Sequence, residues 1–74
     1  MYETVISLLA RQLEIDPAVI SRDTNILADL GADSLDVAEL LADVEDRYAL
    51  LIDEDVIADL ITVGDVADYL DSLM

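Results

Sequence analysis

The sequence predicts an all-α fold, a four-helix bundle with a short third helix and a long loop between helices 1 and 2. Apolar residues recur at spacings of three and four, the period of an amphipathic helix. No segment of useful length alternates apolar and polar residues at the period of two that a half-buried strand requires. The 74 residues include only two glycines and one proline, and 55% of them are hydrophobic. This composition is typical of one compact helical domain, which we expect to span residues 1–74.

The first helix is expected over roughly residues 2–14, where apolar residues fall on one face. These residues are Val5, Leu8, Leu9 and Leu13. Asp16 and Pro17 follow as a cap and a proline suited to the first turn of a short helical segment. The sequence SRDTN, rich in turn formers, then opens the long loop, which Gly31 ends.

The second helix has the clearest pattern, with an apolar stripe and an acidic stripe on different faces. The apolar stripe consists of Val37, Leu40, Leu41, Val44 and Tyr48, and the acidic stripe of Asp36, Glu39, Asp43 and Asp46. Like charges three or four residues apart on a helix repel each other by roughly 0.2–0.5 kcal/mol per pair. Local helix stability therefore does not account for the acidic stripe.

Two further segments complete the predicted bundle. Residues 54–60 are expected to form one or two turns with an apolar inner side. That side consists of Val56, Ile57 and Leu60. Thr62 and Asp65 are spaced as a capping box, with Asp in the place of Glu, and so begin the last helix. Its inner face comprises Val63, Val66, Ala67, Leu70 and Leu73.

The charge balance restricts the possible partners. Eighteen acidic residues oppose three arginines, and the formal net charge is −15. Nucleic acid and anionic membrane surfaces would be repelled by this charge. Basic protein surfaces would be attracted, with association that is steered and sensitive to salt.

We find no targeting or membrane-spanning segment in the sequence. The first residues, MYETVISLLARQLEID, lack the basic stretch and the small-residue cleavage site of a signal peptide. No apolar run approaches the ~20 residues needed to cross a bilayer. The chain also has no cysteine that could form a disulfide or a zinc cluster. We expect a soluble cytoplasmic protein that does not insert into membranes.

Ser34, in the sequence GADSLD, is the most conspicuous candidate for chemistry, but nothing in the chain can activate it. A nucleophilic serine needs a neighbouring base, usually histidine or lysine, and this chain has neither. The G-x-S-x-G turn of hydrolases is also absent. A calcium loop requires glycine at its sixth position, where loops starting at Asp29 or Asp53 have Ser34 or Ala58. The sequence therefore predicts neither an enzyme nor a specific metal site.

Two interpretations of Ser34 remain open from its position at the start of a helix. As an N-cap, its hydroxyl would accept a hydrogen bond from a backbone N–H and stabilise the helix by about 1 kcal/mol. Alternatively, the N–H groups and the positive end of the helix dipole would stabilise a phosphate carried on that hydroxyl. Asp33 and Asp36 repel such an anion, so their presence favours a basic protein partner that recognises the site.

The segment DLGADSLDVAEL, residues 29–40, resembles the attachment motif of acyl carrier proteins, most closely those of bacterial type II fatty-acid synthesis. The resemblance includes LEIDPAVI after the first helix and ITVGDVADYL near the end. It implies that a holo-acyl-carrier-protein synthase transfers 4′-phosphopantetheine from coenzyme A to Ser34. The terminal thiol of that arm would carry a growing fatty acyl chain as a thioester, so the reactive group arrives with the cofactor.

The resemblance also implies a surface for partners and a shelter for the acyl chain. Partner enzymes, including an acyltransferase and ketoacyl synthases, would bind a monomer through basic patches. The residues expected to contact them are Asp33, Leu35, Asp36, Glu39, Glu45, Asp46, Ile52 and Glu54. The residues expected to line the acyl pocket are Leu40, Val44, Ile57 and Leu60. An acyl chain would enter this pocket by parting the aliphatic core.

The sequence departs from the family pattern outside the attachment motif. Asp53 stands where proline is common, Val37 replaces a frequent threonine, and Ala49-Leu50-Leu51 is apolar where the family is usually more polar. Leu50 or Leu51 is expected to be either buried or part of a patch for a partner or for self-association. The alternatives to fatty-acid synthesis are a carrier of a polyketide or other specialised pathway, and an unmodified acidic interaction module.

Overall fold

The computed structural model describes all 74 residues and consists of three α-helices and two short 3₁₀ segments, with no strand. Helix α1 spans Tyr2–Leu13, α2 spans Ser34–Tyr48 and α3 spans Val63–Ser72. The first 3₁₀ segment is Pro17–Val19 and the second is Glu54–Asp59. The predicted bundle is confirmed, and the second 3₁₀ segment is its short third helix. None of the helices has the length and apolar composition needed to cross a bilayer.

The first 3₁₀ segment and α3 begin at the capping residues that the sequence predicted. Asp16 accepts a hydrogen bond from the Ala18 backbone N–H at 2.9 Å and caps the first 3₁₀ segment. Thr62 and Asp65 form the expected capping box at the start of α3, with hydrogen bonds of 3.1 and 3.0 Å. The backbone N–H groups of Thr62 and Ile61 donate to the Asp65 carboxylate and lower the pKa of that group below its usual value. The carboxylate form thus stabilises the start of the helix.

Seventeen buried hydrophobic side chains form one core between the helices and the long loop. The core residues with no exposed surface are Val5, Leu9, Ile26, Leu40, Val44, Val63, Val66, Ala67 and Leu70. Tyr48 and Leu73, predicted on inner faces, are 39% and 37% exposed, so those two predictions are wrong. Both residues lie at the end of a helix: Tyr48 is the last residue of α2, and Leu73 lies just beyond α3.

The long loop between α1 and α2 is joined to the segment that precedes α3. The Ile26 N–H donates to the Ile61 carbonyl at 3.0 Å, and the Val63 N–H donates to the Thr24 carbonyl at 3.0 Å. The Gly64 N–H donates to the Arg22 carbonyl at 2.9 Å. These bonds satisfy backbone groups that the loop would otherwise leave unpaired.

Two of the three arginines form ion pairs at the surface. Arg22 donates to Asp68 at 2.6 Å and lies over the ring of Tyr2, 5.4 Å from its centroid. The hydrogen bond and the charge of Asp68 raise the pKa of the Arg22 guanidinium above its usual value. Arg47 pairs with Asp43 one turn earlier on α2, at 2.9 Å. Exposed pairs of this kind contribute little to stability, because water and salt screen them.

The ends of α1 and α2 place a non-glycine residue in the left-handed backbone region. These residues are Glu14, with φ of 57°, and Ala49, with φ of 54°. Glycine is the usual residue at this point of a helix end, because a side chain there is strained. Ala49 is the residue that ends α2 in this conformation.

We expect Ala49→Gly to stabilise the protein by roughly 0.5–1 kcal/mol, because relief of left-handed strain exceeds the entropy that glycine adds to the unfolded chain. The matched control is Ala42→Gly, at an exposed position inside α2. There the same substitution should destabilise by roughly 0.5–1 kcal/mol. Urea unfolding measures both changes, and effects of the same sign would contradict the assignment of strain to Ala49.

Candidate functional site

Ser34 is the first residue of α2, and the aspartates on either side of it hold the turn. Asp33 has an extended backbone, and its Oδ1 accepts a hydrogen bond of 3.0 Å from the Asp36 N–H. Asp36 Oδ2 accepts one of 3.1 Å from the Asp33 N–H. This is a capping box in which Asp33 is the N-cap, so the interpretation of Ser34 as the cap is wrong. Asp33 takes the role because it lies one residue outside the helix and offers a carboxylate to the N–H three residues on.

The Ser34 hydroxyl therefore takes no part in the cap, and the residue is exposed. Leu35 follows it with 64% of its surface exposed. The approach to this turn passes through Gly31, whose φ of 69° suits a residue without a side chain. Ala32 is buried, and its N–H donates to the Ile26 carbonyl at 3.3 Å. The fold thus presents an accessible hydroxyl and an exposed leucine side by side.

The Ser34 turn, defined as residues 33–36, is also fixed from α1. Gln12 Nε2 donates a hydrogen bond of 2.7 Å to the Asp36 carbonyl. In the loop before the turn, the Asn25 side chain accepts from the N–H groups of Leu27 and Ala28 at 3.0 and 2.9 Å. The Gln12 hydrogen bond thus ties the turn to α1, and Asn25 orders the earlier part of the loop.

A groove of about 600 Å³ runs between the first turns of α2 and the second 3₁₀ segment, with Ser34 in its lining. Ser34 and Glu54 are the only polar residues that line it. The apolar walls include Val37, Ala38, Ile57, Ala58, Leu60 and Ile61. The groove can therefore receive an apolar group attached at or near Ser34.

The residues predicted for an acyl pocket divide into two pairs. Ile57 and Leu60 line the groove, whereas Leu40 and Val44 are fully buried in the core and do not reach it. Sequence reasoning missed Ala38 and Ala58, whose small side chains leave the groove open. It also missed Leu27 and Ile61, because both lie outside the helices and carry no periodic signal. The hydrogen bond between Ile26 and Ile61 would have been needed to place them.

The residues predicted to contact partner enzymes differ in how exposed they are. The exposed ones are Asp33, Leu35, Glu39, Asp46 and Glu54. Asp36 and Glu45 are partly buried, Asp36 in the capping box and Glu45 as acceptor of the Ile52 N–H at 2.9 Å. Ile52 is only 9% exposed and belongs to the core, so its assignment to the partner surface is wrong. Its apolar side chain packs inward as the chain passes from α2 to the second 3₁₀ segment.

The site contains no group that would activate Ser34. None of the arginines lines the groove; Arg11 and Arg47 instead line a shallow depression beside α1. No cluster of three or more Asp, Glu, His or Cys side chains is arranged to hold a metal ion. The arrangement can accept a group from another protein and shelter an apolar chain.

Comparison with known proteins gives matches over nearly the full chain. A family model described as the phosphopantetheine attachment site matches residues 3–70. The acyl carrier protein of Campylobacter curvus (strain 525.92) is 34% identical over 73 residues, covering 99% of this chain and 95% of that protein. The acyl carrier protein of Campylobacter jejuni subsp. doylei is 38% identical over 72 residues, covering 97% and 94%.

A solved structure has the same fold. It is a free-standing peptidyl carrier protein from an uncharacterised Acinetobacter baumannii secondary metabolic pathway. The match has a TM-score of 0.80 and 25% sequence identity, and it covers 96% of this chain and 88% of that chain. The bundle therefore has close counterparts among carrier proteins of more than one kind.

We expect Asp33→Ala to destabilise the protein by about 1 kcal/mol, because it removes the N-cap of α2. Ser34→Ala should change the free energy of unfolding by less than about 0.5 kcal/mol, because the hydroxyl is exposed and outside the capping box. Asp23→Ala, in the long loop, controls for the loss of one negative charge. Denaturant unfolding of the three variants measures these differences, and a larger loss at Ser34 than at Asp33 would restore serine as the cap.

Proposed function

The chain belongs to the phosphopantetheine-attachment family of acyl carrier proteins, and we propose that it carries fatty acyl chains for the enzymes of type II fatty-acid synthesis. Like its relatives, it is a carrier rather than an enzyme. Its cofactor is covalently attached 4′-phosphopantetheine, which originates from coenzyme A. The proposal that the cargo is a fatty acyl chain rests on the apolar groove that has Ser34 in its lining.

Ser34 is the proposed attachment residue. Its hydroxyl is exposed and not used by the capping box, and it is the first residue of the helix. The N–H groups at this helix start and the positive end of the dipole favour a phosphodiester at that point. Asp33 and Asp36 oppose it with their charge, so a basic transferase is needed to approach. Transfer forms a bond from Ser34 Oγ to the phosphorus of the pantetheine phosphate as the pyrophosphate bond of coenzyme A breaks and adenosine 3′,5′-bisphosphate leaves. The transferase must also take up the hydroxyl proton, because the chain has no histidine or lysine and the carboxylates of Asp33 and Asp36 are engaged in the capping box.

When bound, the cofactor supplies a terminal thiol that holds the acyl group as a thioester. The protein itself presents the attachment residue and protects the attached acyl group. The capping box and the Gln12 hydrogen bond hold the Ser34 turn. The groove offers apolar walls that exclude water from a hydrocarbon. The proposed residues for this shelter are Ile57 and Leu60, as the sequence suggested, together with Ala38 and Ala58.

The lining of the groove favours a saturated chain over a 3-oxoacyl group. A ketone carbonyl buried there would lack a side-chain donor, because a modified Ser34 has no hydroxyl hydrogen and the Glu54 carboxylate only accepts hydrogen bonds. Burial of an unpaired polar group costs roughly 1–3 kcal/mol in proteins. The second candidate is a carrier of a specialised pathway, and the fold of the peptidyl carrier protein supports it. The third candidate is an acidic interaction module in which Ser34 carries no modification.

We propose that partner enzymes in the cytoplasm recognise and bind the acidic surface beside Ser34. Leu35 is the exposed apolar contact at its centre, flanked by Asp33 and Glu39. Asp36, Glu45, Asp46 and Glu54 are the further carboxylates proposed for it. We propose that a holo-synthase, an acyltransferase and ketoacyl synthases bind a monomer here through basic patches. Each exposed pair contributes less than ~1 kcal/mol, which suits a carrier that leaves each enzyme in turn.

Incubation with coenzyme A and a phosphopantetheinyl transferase of broad specificity should add one 4′-phosphopantetheine to the protein. Intact-mass spectrometry measures the addition, and Ser34→Ala should show none. A known carrier modified in parallel shows that the transferase is active. If folded wild-type protein then gained no mass, the carrier proposal would fail and the interaction module would replace it.

We expect an octanoyl group, loaded from its coenzyme A thioester, to raise the free energy of unfolding by about 0.8 kcal/mol for each methylene group buried. A 3-oxooctanoyl group should stabilise less, because its ketone is unpaired in the groove. Ala38→Leu fills the groove and should remove at least half of the gain. Ala42→Leu, exposed on the same helix and away from the groove, should keep it. Equal gains in both variants, or for both acyl groups, would count against fatty acyl specificity.

A further inference from the structure

The connection between α2 and the second 3₁₀ segment, residues 49–53, carries the most exposed large apolar side chain of the protein. Leu51 is 91% exposed, compared with 64% for Leu35 beside the attachment serine. Its neighbours point the other way, since Leu50 packs against the core and Ile52 is 9% exposed. A leucine placed in water between two inward neighbours offers nearly all its apolar surface to another molecule.

The position of Leu51 is fixed before any partner arrives. The Ile52 N–H donates to Glu45 Oε2 at 2.9 Å, and the Asp53 N–H donates to the Tyr69 hydroxyl at 3.4 Å. On the other side, Ala49 holds a left-handed conformation with φ of 54°. A partner that binds here therefore has little loop entropy to remove, which distinguishes Leu51 from an apolar residue on a mobile tip.

The surroundings of Leu51 are acidic. The exposed carboxylates within five residues along the chain are Asp46, Asp53, Glu54 and Asp55. The only cation in the same stretch is Arg47, which is paired with Asp43 at 2.9 Å. A complementary surface therefore has an apolar pocket bordered by lysine or arginine.

We propose that Leu51 is a second docking point, which inserts into an apolar pocket with a basic rim on a partner enzyme. The inference rests on the proposed function, in which partners bind at Ser34 and Leu35. Helix α2 has 15 residues, so the two apolar contacts lie near opposite ends of a helix about 22 Å long. A partner that uses both contacts the whole length of α2, and Leu51 sets which enzymes hold the carrier in that orientation.

A second copy of the chain does not fit this surface. Two molecules of net charge −15 repel each other, most strongly where acidic residues meet. One leucine side chain also falls far below the roughly 1,200 Å² that a stable protein interface buries. A basic enzyme surface supplies both the opposite charge and the remaining area.

The test is the binding of unmodified protein to a purified ketoacyl synthase of bacterial fatty-acid synthesis, measured as Kd at physiological ionic strength. Leu51→Ser should raise Kd about tenfold, because burial of the leucine is lost. Leu51→Met should keep the affinity. Val19→Ser, at a 63% exposed position on the first 3₁₀ segment, is the matched control and should leave Kd unchanged. Equal melting temperatures would show that the variants differ in binding and not in folding.

Amide signals of residues 51–53 should shift when labelled protein is titrated with the synthase, and Leu51→Ser should reduce those shifts. The proposal is overturned if Leu51→Ser binds like wild type. It is also overturned if sedimentation shows a dimer that Leu51→Ser dissociates, because the occupant is then a second copy. Failure of the proposed function is separate, since it would show as the absence of a mass change at Ser34.

Discussion

The pairing of the long loop with the segment before α3 is the constraint on which the functional site depends. The hydrogen bonds of Ile26 with Ile61 and of Val63 with Thr24 hold a loop that has no long helix of its own. Ile26 is fully buried at the same point, so the pairing is shielded from water by the core. Because of it, Leu27 and Ile61 line the groove and the chain reaches the Ser34 turn from a fixed direction. The helices alone would leave both the groove and the turn undefined.

The acidic residues have structural roles beyond their charge. Asp16, Asp33, Asp53 and Asp65 each accept a backbone N–H at the start of a helical segment. A carboxylate at that position accepts a hydrogen bond from a backbone N–H that has no partner within the helix, and it interacts favourably with the helix dipole. At Asp53, Oδ1 accepts from the Asp55 N–H at 2.9 Å. This hydrogen bond caps the start of the second 3₁₀ segment.

Sequence reasoning succeeded where a local rule applied and failed where a tertiary contact decided the outcome. Periodicity located all three α-helices, and the spacing of Thr62 and Asp65 located a capping box. The same rule, applied to Ser34, missed that Asp33 is the cap, because the helix begins at Ser34 itself, one residue earlier than a serine cap requires. Ile52 was assigned to the surface by resemblance, but its environment depends on how the chain turns at Ala49. No periodic pattern describes Leu27 or Ile61, since their neighbours across the groove are far away in sequence.

The two walls of the groove differ in how firmly they are held, and this difference suits a carrier. The α2 wall is regular helix with buried Val37, Leu40 and Leu41, and its first turn is fixed by the capping box and by Gln12. The opposite wall is a 3₁₀ segment with no buried residue, a geometry with poorer hydrogen bonds than the α-helix. We expect a larger apolar group in the groove to displace the 3₁₀ wall before α2. Ser34 and Leu35, at the start of α2, would then keep one position while the volume beside them changes.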